Sequence, residues 1–253
     1  MPQKNALLIL GVQRTGTALL AKDIGSLGFL GTPGEHFLKI ESGKLSAQDR
    51  NARFAALGTR PGSSVFAVTL MINYLHRFAK WLDPKVPEGL NDLALQLWLE
   101  DRALRFFLDG FDTTTVVTLH RAALWEVAYS TWRVSVTNQY HAVGADIRHG
   151  DRTVKWRPGD AIPLDPAAIM LCLTPIIRNY RKIDALLARH NIDPVRLSYD
   201  EVVDQFPAYL RRVMEPAGHS VKDETIARRQ MTKLVDPDEL DRARRAMTAY
   251  LGL

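Results

Sequence analysis

Ala6-Leu7-Leu8-Ile9-Leu10-Gly11-Val12-Gln13-Arg14-Thr15-Gly16-Thr17-Ala18-Leu19-Leu20 is the stretch from which the fold can be read. An apolar run over Ala6–Leu10 stops at Gly11, a polar loop follows, and apolar residues then recur at helical spacing from Thr17 to Leu27. Strand, loop and helix in that order bring the loop amides to a helix N-terminus, where partial positive charge favours an anion. Gly16 permits close backbone approach, Thr15 and Thr17 offer hydroxyl donors, and Arg14 adds a fixed charge. The loop lacks the Gly-x-x-x-x-Gly-Lys-Ser/Thr pattern, so no lysine bridges the last two phosphates of a nucleoside triphosphate, and ATP or GTP hydrolysis is not expected. It also lacks Gly-x-Gly-x-x-Gly, which argues against a dinucleotide turn.

Outward from this loop, β-branched runs at Val65–Met71 and Thr113–His120 have strand character, and Val195–Tyr199 reads as a last strand. Helical patterns stand between them. Leu90–Leu108 suggests an amphipathic helix whose buried stripe is Leu90, Leu93, Leu97, Leu104 and Phe107. Asp165–His190 is the longest helical pattern, capped by Asp165, started by Pro166, stopped at Asn191 and kinked or broken at Pro175. Asp200 is placed to cap a helix running toward Arg212, and a charged helix begins near Asp236 and Pro237. Residues 151–163 read as a polar connection. Strands alternating with helices predict an α/β protein with a parallel sheet flanked by helices.

Hydrophobic residues at 46% and charged residues at 24% suit a globular chain, and 253 residues suffice for one sizeable core, so residues 1–253 are read as a single domain. The net charge of +5 points to anionic partners without choosing among them. Cys172 is the single cysteine, which excludes an internal disulfide framework and makes the reducing cytoplasm the expected location. Gln13 and Arg14 interrupt the first apolar run before signal-peptide length, and no stretch nears the roughly 18 apolar residues of a membrane helix. The seven histidines show no ligand spacing, so no metal is expected. Cys172 reads as a small buried hydrophobe, Trp125, Tyr129 and Trp132 as core, and Arg242, Arg244 and Arg245 as a solvated helical face.

The loop Gln13-Arg14-Thr15-Gly16-Thr17 followed by Leu19-Leu20 resembles the 5′-phosphosulfate loop of bacterial sulfotransferases of the trehalose 2-sulfotransferase type. Gly34-Glu35-His36-Phe37 is similar to that family's acidic motif after the first helix, His120-Arg121 with Ser130 nine residues on to its 3′-phosphate arm, and Arg229-Gln230 to a C-terminal nucleotide-contacting segment. The resemblance implies a P-loop-NTPase-like sulfotransferase fold with additional helices. It also implies transfer of a sulfuryl group from 3′-phosphoadenosine 5′-phosphosulfate (PAPS) to a hydroxyl of a carbohydrate or lipid-linked small molecule. Glu35 would be the base, with His36 as an alternative and Arg14 stabilising charge. Gln13, Arg14, Thr15, Gly16, Thr17, Ala18, Arg121, Ser130 and Arg229 would contact the nucleotide. The family includes dimers, so a homodimer is open to this chain.

Thr69 stands where the family usually shows a strand lysine, so charge on the transferred group falls to Arg14 and backbone amides. Ala123 and Val127 replace an acidic residue and a glutamine of the family, which removes polar contacts on the acceptor side and leaves a trehalose-like acceptor unassigned. A non-catalytic relative that binds the nucleotide or a sulfated ligand is the alternative reading. The scattered arginines lack the aromatic interleaving of a nucleic-acid surface.

Overall fold

The computed structural model describes residues 4–41, 47–83, 85–143, 146–149, 162–220, 229 and 237–252. Along the chain the elements are β1 (Asn5–Gly11), α1 (Thr17–Ser26), α2 (His36–Glu41), α3 (Ala47–Gly58) and β2 (Val65–Met71). A 3-10 turn (Ile72–Tyr74) leads to α4 (Leu75–Leu82), α5 (Asp92–Gly110), β3 (Thr113–His120), α6 (Leu124–Thr137), β4 (Gln139–Val143) and β5 (Asp146–His149). Then come α7 (Pro166–Leu171), α8 (Leu173–Arg189), β6 (Val195–Ser198), α9 (Tyr199–Asp204), a 3-10 turn (Ala208–Leu210), α10 (Arg211–Met214) and α11 (Pro237–Leu251). Two compact units divide the chain, Met1–His120 with Arg181–Arg229, and Arg121–Tyr180 with Gln230–Leu253.

The first unit is built on a four-stranded sheet of order β2-β1-β3-β6, every pair parallel. Leu7 and Ile9 of β1 face Ala67 and Val117 within an apolar cluster completed by Leu20 and Ile24 of α1 and by Leu210, Val213 and Met214. Strand alternation sends Phe66 to the opposite face, where its ring meets Phe54, Phe107 and Phe111 at centroid distances of 5.2, 6.4 and 5.5 Å. Helices therefore cover both faces of the sheet, and its apolar strands are buried from both sides. The α/β architecture expected from the strand and helix patterns is the one observed.

Several local expectations are corrected. The first part of the predicted stripe on α5 is exposed, Leu93 by 67%, and the buried residues are Leu99, Glu100, Ala103, Leu104 and Phe107. Glu100 can sit on the buried side because Gln96 Nε2 and Lys182 Nζ donate to its carboxylate at 2.8 and 3.0 Å. The long helix divides at Cys172 into α7 and α8, with Pro175 in the first turn of α8, where its missing N–H costs no helical bond. Cys172 itself is only partly buried. Ser198, not Asp200, caps α9: its hydroxyl accepts from Glu201 N and the Glu201 carboxylate accepts from Ser198 N, a reciprocal capping box. The helix ends at Asp204 instead of continuing toward Arg212.

In the second unit α6 carries Tyr129 and Trp132 into the core, as expected, while Trp125 is half-buried. Glu239 of α11 accepts from Tyr129 Oη at 2.5 Å and from Arg133 Nε at 2.9 Å, which ties the last helix to α6. Strands β4 and β5 form an antiparallel pair that had no sequence signal. Of the connection expected at residues 151–163, all but the last two residues lie outside the described ones.

Candidate functional site

Because all four strands of the sheet are parallel, their C-terminal ends share one edge. The chain leaves β1 toward β2 on one side and leaves β3 toward β6 on the other. The ends of β1 and β3 therefore flank a topological switch point, the place where open parallel sheets form a binding crevice. Residues 11–16, between Gly11 and the first residue of α1, emerge there.

Two glycines shape this loop. A Cβ on Gly11 would fall 2.4 Å from Thr17 Cγ2, so its absence lets the start of α1 pack against the end of β1. Gly16 is the N-cap of α1 with φ 101°, and a Cβ there would stand 2.6 Å from Cδ2 of Tyr199, whose ring covers the loop from the start of α9. Gly16 supplies no side-chain cap to α1. The N–H groups of the first turn of this ten-residue helix thus lie at the crevice without side-chain capping, and they carry the partial positive charge of the helix end.

The remaining loop residues divide by role. Thr15 is fully buried and its hydroxyl donates to Val12 O at 2.8 Å, which closes the loop on itself. Thr17 is buried, with its hydroxyl 4.0 Å from Met71 Sδ, a weak contact that a better acceptor can replace. Gln13 Nε2 donates to Tyr74 Oη at 2.5 Å and so attaches the loop to the turn after β2. Arg14 has φ 67° and is half-buried, as are Gly16 and Ala18. The structure brings all six predicted loop residues together.

Glu35 is reached along the outer edge of β2. Thr69 N donates to Gly34 O at 2.9 Å, which holds the residue before Glu35 against the strand near its C-terminal end. One interstrand spacing, roughly 5 Å, separates β2 from β1, and a second separates the Gly34 backbone from β2. Glu35 is half-buried and immediately precedes α2. The neighbouring His36 is 3% exposed and its Nε2 lies 2.5 Å from Thr32 O; a carbonyl accepts only from N–H, so this nitrogen carries its hydrogen inward. The same imidazole lies where a Cβ on Gly34 would be, 2.9 Å from its Cε1. His36 therefore holds the turn that presents Glu35. Thr69 is 2% exposed and its hydroxyl has no hydrogen-bond partner.

Arg121 and Ser130 belong to the second unit, with Ser130 on α6 and 7% exposed. Arg121 N donates to Tyr180 Oη at 3.1 Å, and burial pushes the Tyr180 hydroxyl up against the lowering effect of Arg121. The Arg121 guanidinium forms an ion pair with Glu126, a partner the sequence reading did not identify.

Arg229 is in the first unit, and its fork is committed there. It pairs with Asp23 Oδ2 at 2.8 Å, donates to the carbonyls of Val202 and Val203, and stacks 4.4 Å over Phe206. Tyr209 Oη donates to the same Asp23 oxygen at 2.9 Å. Burial lifts the Asp23 carboxyl above its ordinary range, with Arg229 and Tyr209 opposing that shift. The geometry gives Arg229 a structural role, anchoring the chain after α10 to α1. Gln230, its expected companion, lies outside the described residues.

Among the described residues no helix is long and apolar enough to cross a membrane. The family model described as Stf0 sulphotransferase matches residues 6–248. No curated protein matches the chain.

Proposed function

This chain belongs to the Stf0 sulphotransferase family, and from that premise we propose that it moves a sulfuryl group from PAPS to a hydroxyl of a carbohydrate or lipid-linked small molecule. The observation that carries the reading is the α1 N-terminus at the switch point of the sheet, where the N-cap residue Gly16 supplies no side-chain cap and the first-turn amides keep their partial positive charge. In this proposal the loop amides, the Thr17 hydroxyl and Arg14 take the 5′ end of the nucleotide. Arg121 and Ser130 read its 3′-phosphate.

The acceptor oxygen attacks sulfur, the bond from sulfur to the phosphate oxygen breaks, and 3′,5′-ADP leaves. Glu35 takes the hydroxyl proton, a role worth typically about 10²- to 10⁴-fold in rate. Arg14 and the amides meet the charge on the equatorial and leaving oxygens, by analogy with other pre-organised anion sites. His36, whose Nε2–H is given to Thr32 O, supports Glu35 in this scheme and is the alternative base through its other ring nitrogen.

The buried neutral side chain of Thr69 favours a second reading, a relative that binds the nucleotide without transferring its sulfuryl group. Transfer of radiolabelled sulfuryl from PAPS to cell-extract acceptors separates the two. Labelled product with wild type, and a drop of about 10²-fold or more with Glu35→Gln at unchanged nucleotide affinity, is the expected result. Nucleotide binding without label transfer supports the second reading, and equal turnover by Glu35→Gln excludes Glu35 as the base.

A further inference from the structure

The Arg121–Glu126 pair adds a residue to the nucleotide site that neither the loop nor the family match assigns. Resting on the reading of Arg121 and Ser130 as 3′-phosphate contacts, we propose that Glu126 is a built-in competitor for that phosphate. Its carboxylate holds the Arg121 guanidinium and yields it when the phosphate binds, so the chain's grip on a 3′-phosphorylated nucleotide is selectively weakened.

Four observations within the second unit converge. Glu126 Oε2 pairs with Arg121 Nη2, and the two side chains are only 23% and 15% exposed, so solvent screens the pair incompletely. Glu126 stands in the first turn of α6 and Ser130 one turn further on, so the carboxylate and the buried serine share one helical face. Arg121 is also pinned through its backbone: its N–H donates to Tyr180 Oη of α8, which limits how far the guanidinium can move to reach a ligand. Finally, Ala123 at the N-cap of α6 provides no side-chain cap, so the helix end that attracts the Glu126 carboxylate would attract a phosphate at the same place.

A phosphate that engages Arg121 bidentately uses two N–H groups of one edge of the fork. The Nη2 group is the one Glu126 holds. An incoming phosphate therefore displaces the carboxylate, or shares the guanidinium with it and meets like-charge repulsion at short range. A nucleotide lacking the 3′-phosphate meets neither cost. The same competition would favour departure of 3′,5′-ADP after transfer.

Calorimetric titration of wild type, Glu126→Gln and Glu126→Ala with 3′,5′-ADP and with 5′-AMP tests this. Glutamine keeps the size of the side chain and removes its charge. The expected result is tighter 3′,5′-ADP binding by about tenfold in both variants, with 5′-AMP affinity within about twofold of wild type. Unchanged or weaker 3′,5′-ADP binding overturns the proposal and makes Glu126 a group that positions Arg121. Should one variant fold poorly by circular dichroism, the other carries the comparison. If neither wild type nor either variant prefers 3′,5′-ADP to 5′-AMP, the 3′-phosphate reading itself fails; if wild type prefers 3′,5′-ADP and the variants do not differ from it, only the role of Glu126 fails.

Discussion

Replacing Gly16 with alanine tests the geometry of the loop in quantitative terms. The residue has φ 101°, and a side chain held in a left-handed conformation costs roughly 1–2 kcal/mol. The new Cβ would also lie 2.6 and 2.8 Å from Cδ2 and Cε2 of Tyr199, and relieving such overpacking costs typically about 1–3 kcal/mol. The sum, about 2–5 kcal/mol, corresponds to a fall in Tm of roughly 4–20 °C for a chain of this size. Gly62 is the internal control, because it has φ 82° with nothing within 4 Å of the position of a Cβ. Gly62→Ala should show the backbone cost alone. In a Tyr199→Ala background the steric part for Gly16→Ala should vanish, leaving a coupling of about 1–3 kcal/mol in a double-mutant cycle read by urea denaturation. Gly16→Ala no worse than Gly62→Ala, or equally costly with and without Tyr199, would refute the packing of that ring on the loop.

Arg229→Met should destabilise the fold by about 3–5 kcal/mol at neutral pH, since it leaves the fully buried Asp23 charge with only the Tyr209 hydroxyl, and Asp23→Asn in the same chain should restore much of the loss. The sign with pH follows from burial, which raises Asp23 and acts without the opposing Arg229 in the variant. Protonated Asp23 is tolerated below its unfolded value of about 3.9, and that tolerance is lost as pH rises through the raised folded value, so the penalty measured by urea melts should grow from acid toward pH 7. Leu93→Lys should change stability by less than about 0.5 kcal/mol in the same assay, because the side chain is 67% exposed; a loss near 2 kcal/mol would restore the buried stripe first read from the sequence.

The strands of the parallel sheet were the most legible part of the chain. Val65–Met71 and Thr113–His120 have the same limits in both readings, because β-branched runs bounded by polar or turn residues are local signals. The loop and α1 were equally readable, since a glycine-bounded turn between an apolar strand and a helix is also local. The buried side of α5 was hidden by Glu100, a charge whose burial depends on Lys182, 82 residues away in the chain. The commitment of Arg229 to Asp23 spans 206 residues and leaves no trace in spacing. Two signals were present and passed over. Ser198-x-x-Glu201 is a capping-box pattern two residues before the Asp200 that was read as the cap, and Glu126 becomes a partner for Arg121 once α6 is seen to begin at Leu124.

Thermal denaturation of the wild-type chain with 3′,5′-ADP and, separately, with 5′-AMP addresses the proposed donor most directly. At a hundredfold excess over Kd a ligand that binds only the folded state contributes about 2.7 kcal/mol, or roughly 5–11 °C in Tm here. The account predicts a shift of that size for 3′,5′-ADP and a clearly smaller one for 5′-AMP at the same concentration. Equal shifts, or none with either nucleotide, would contradict it.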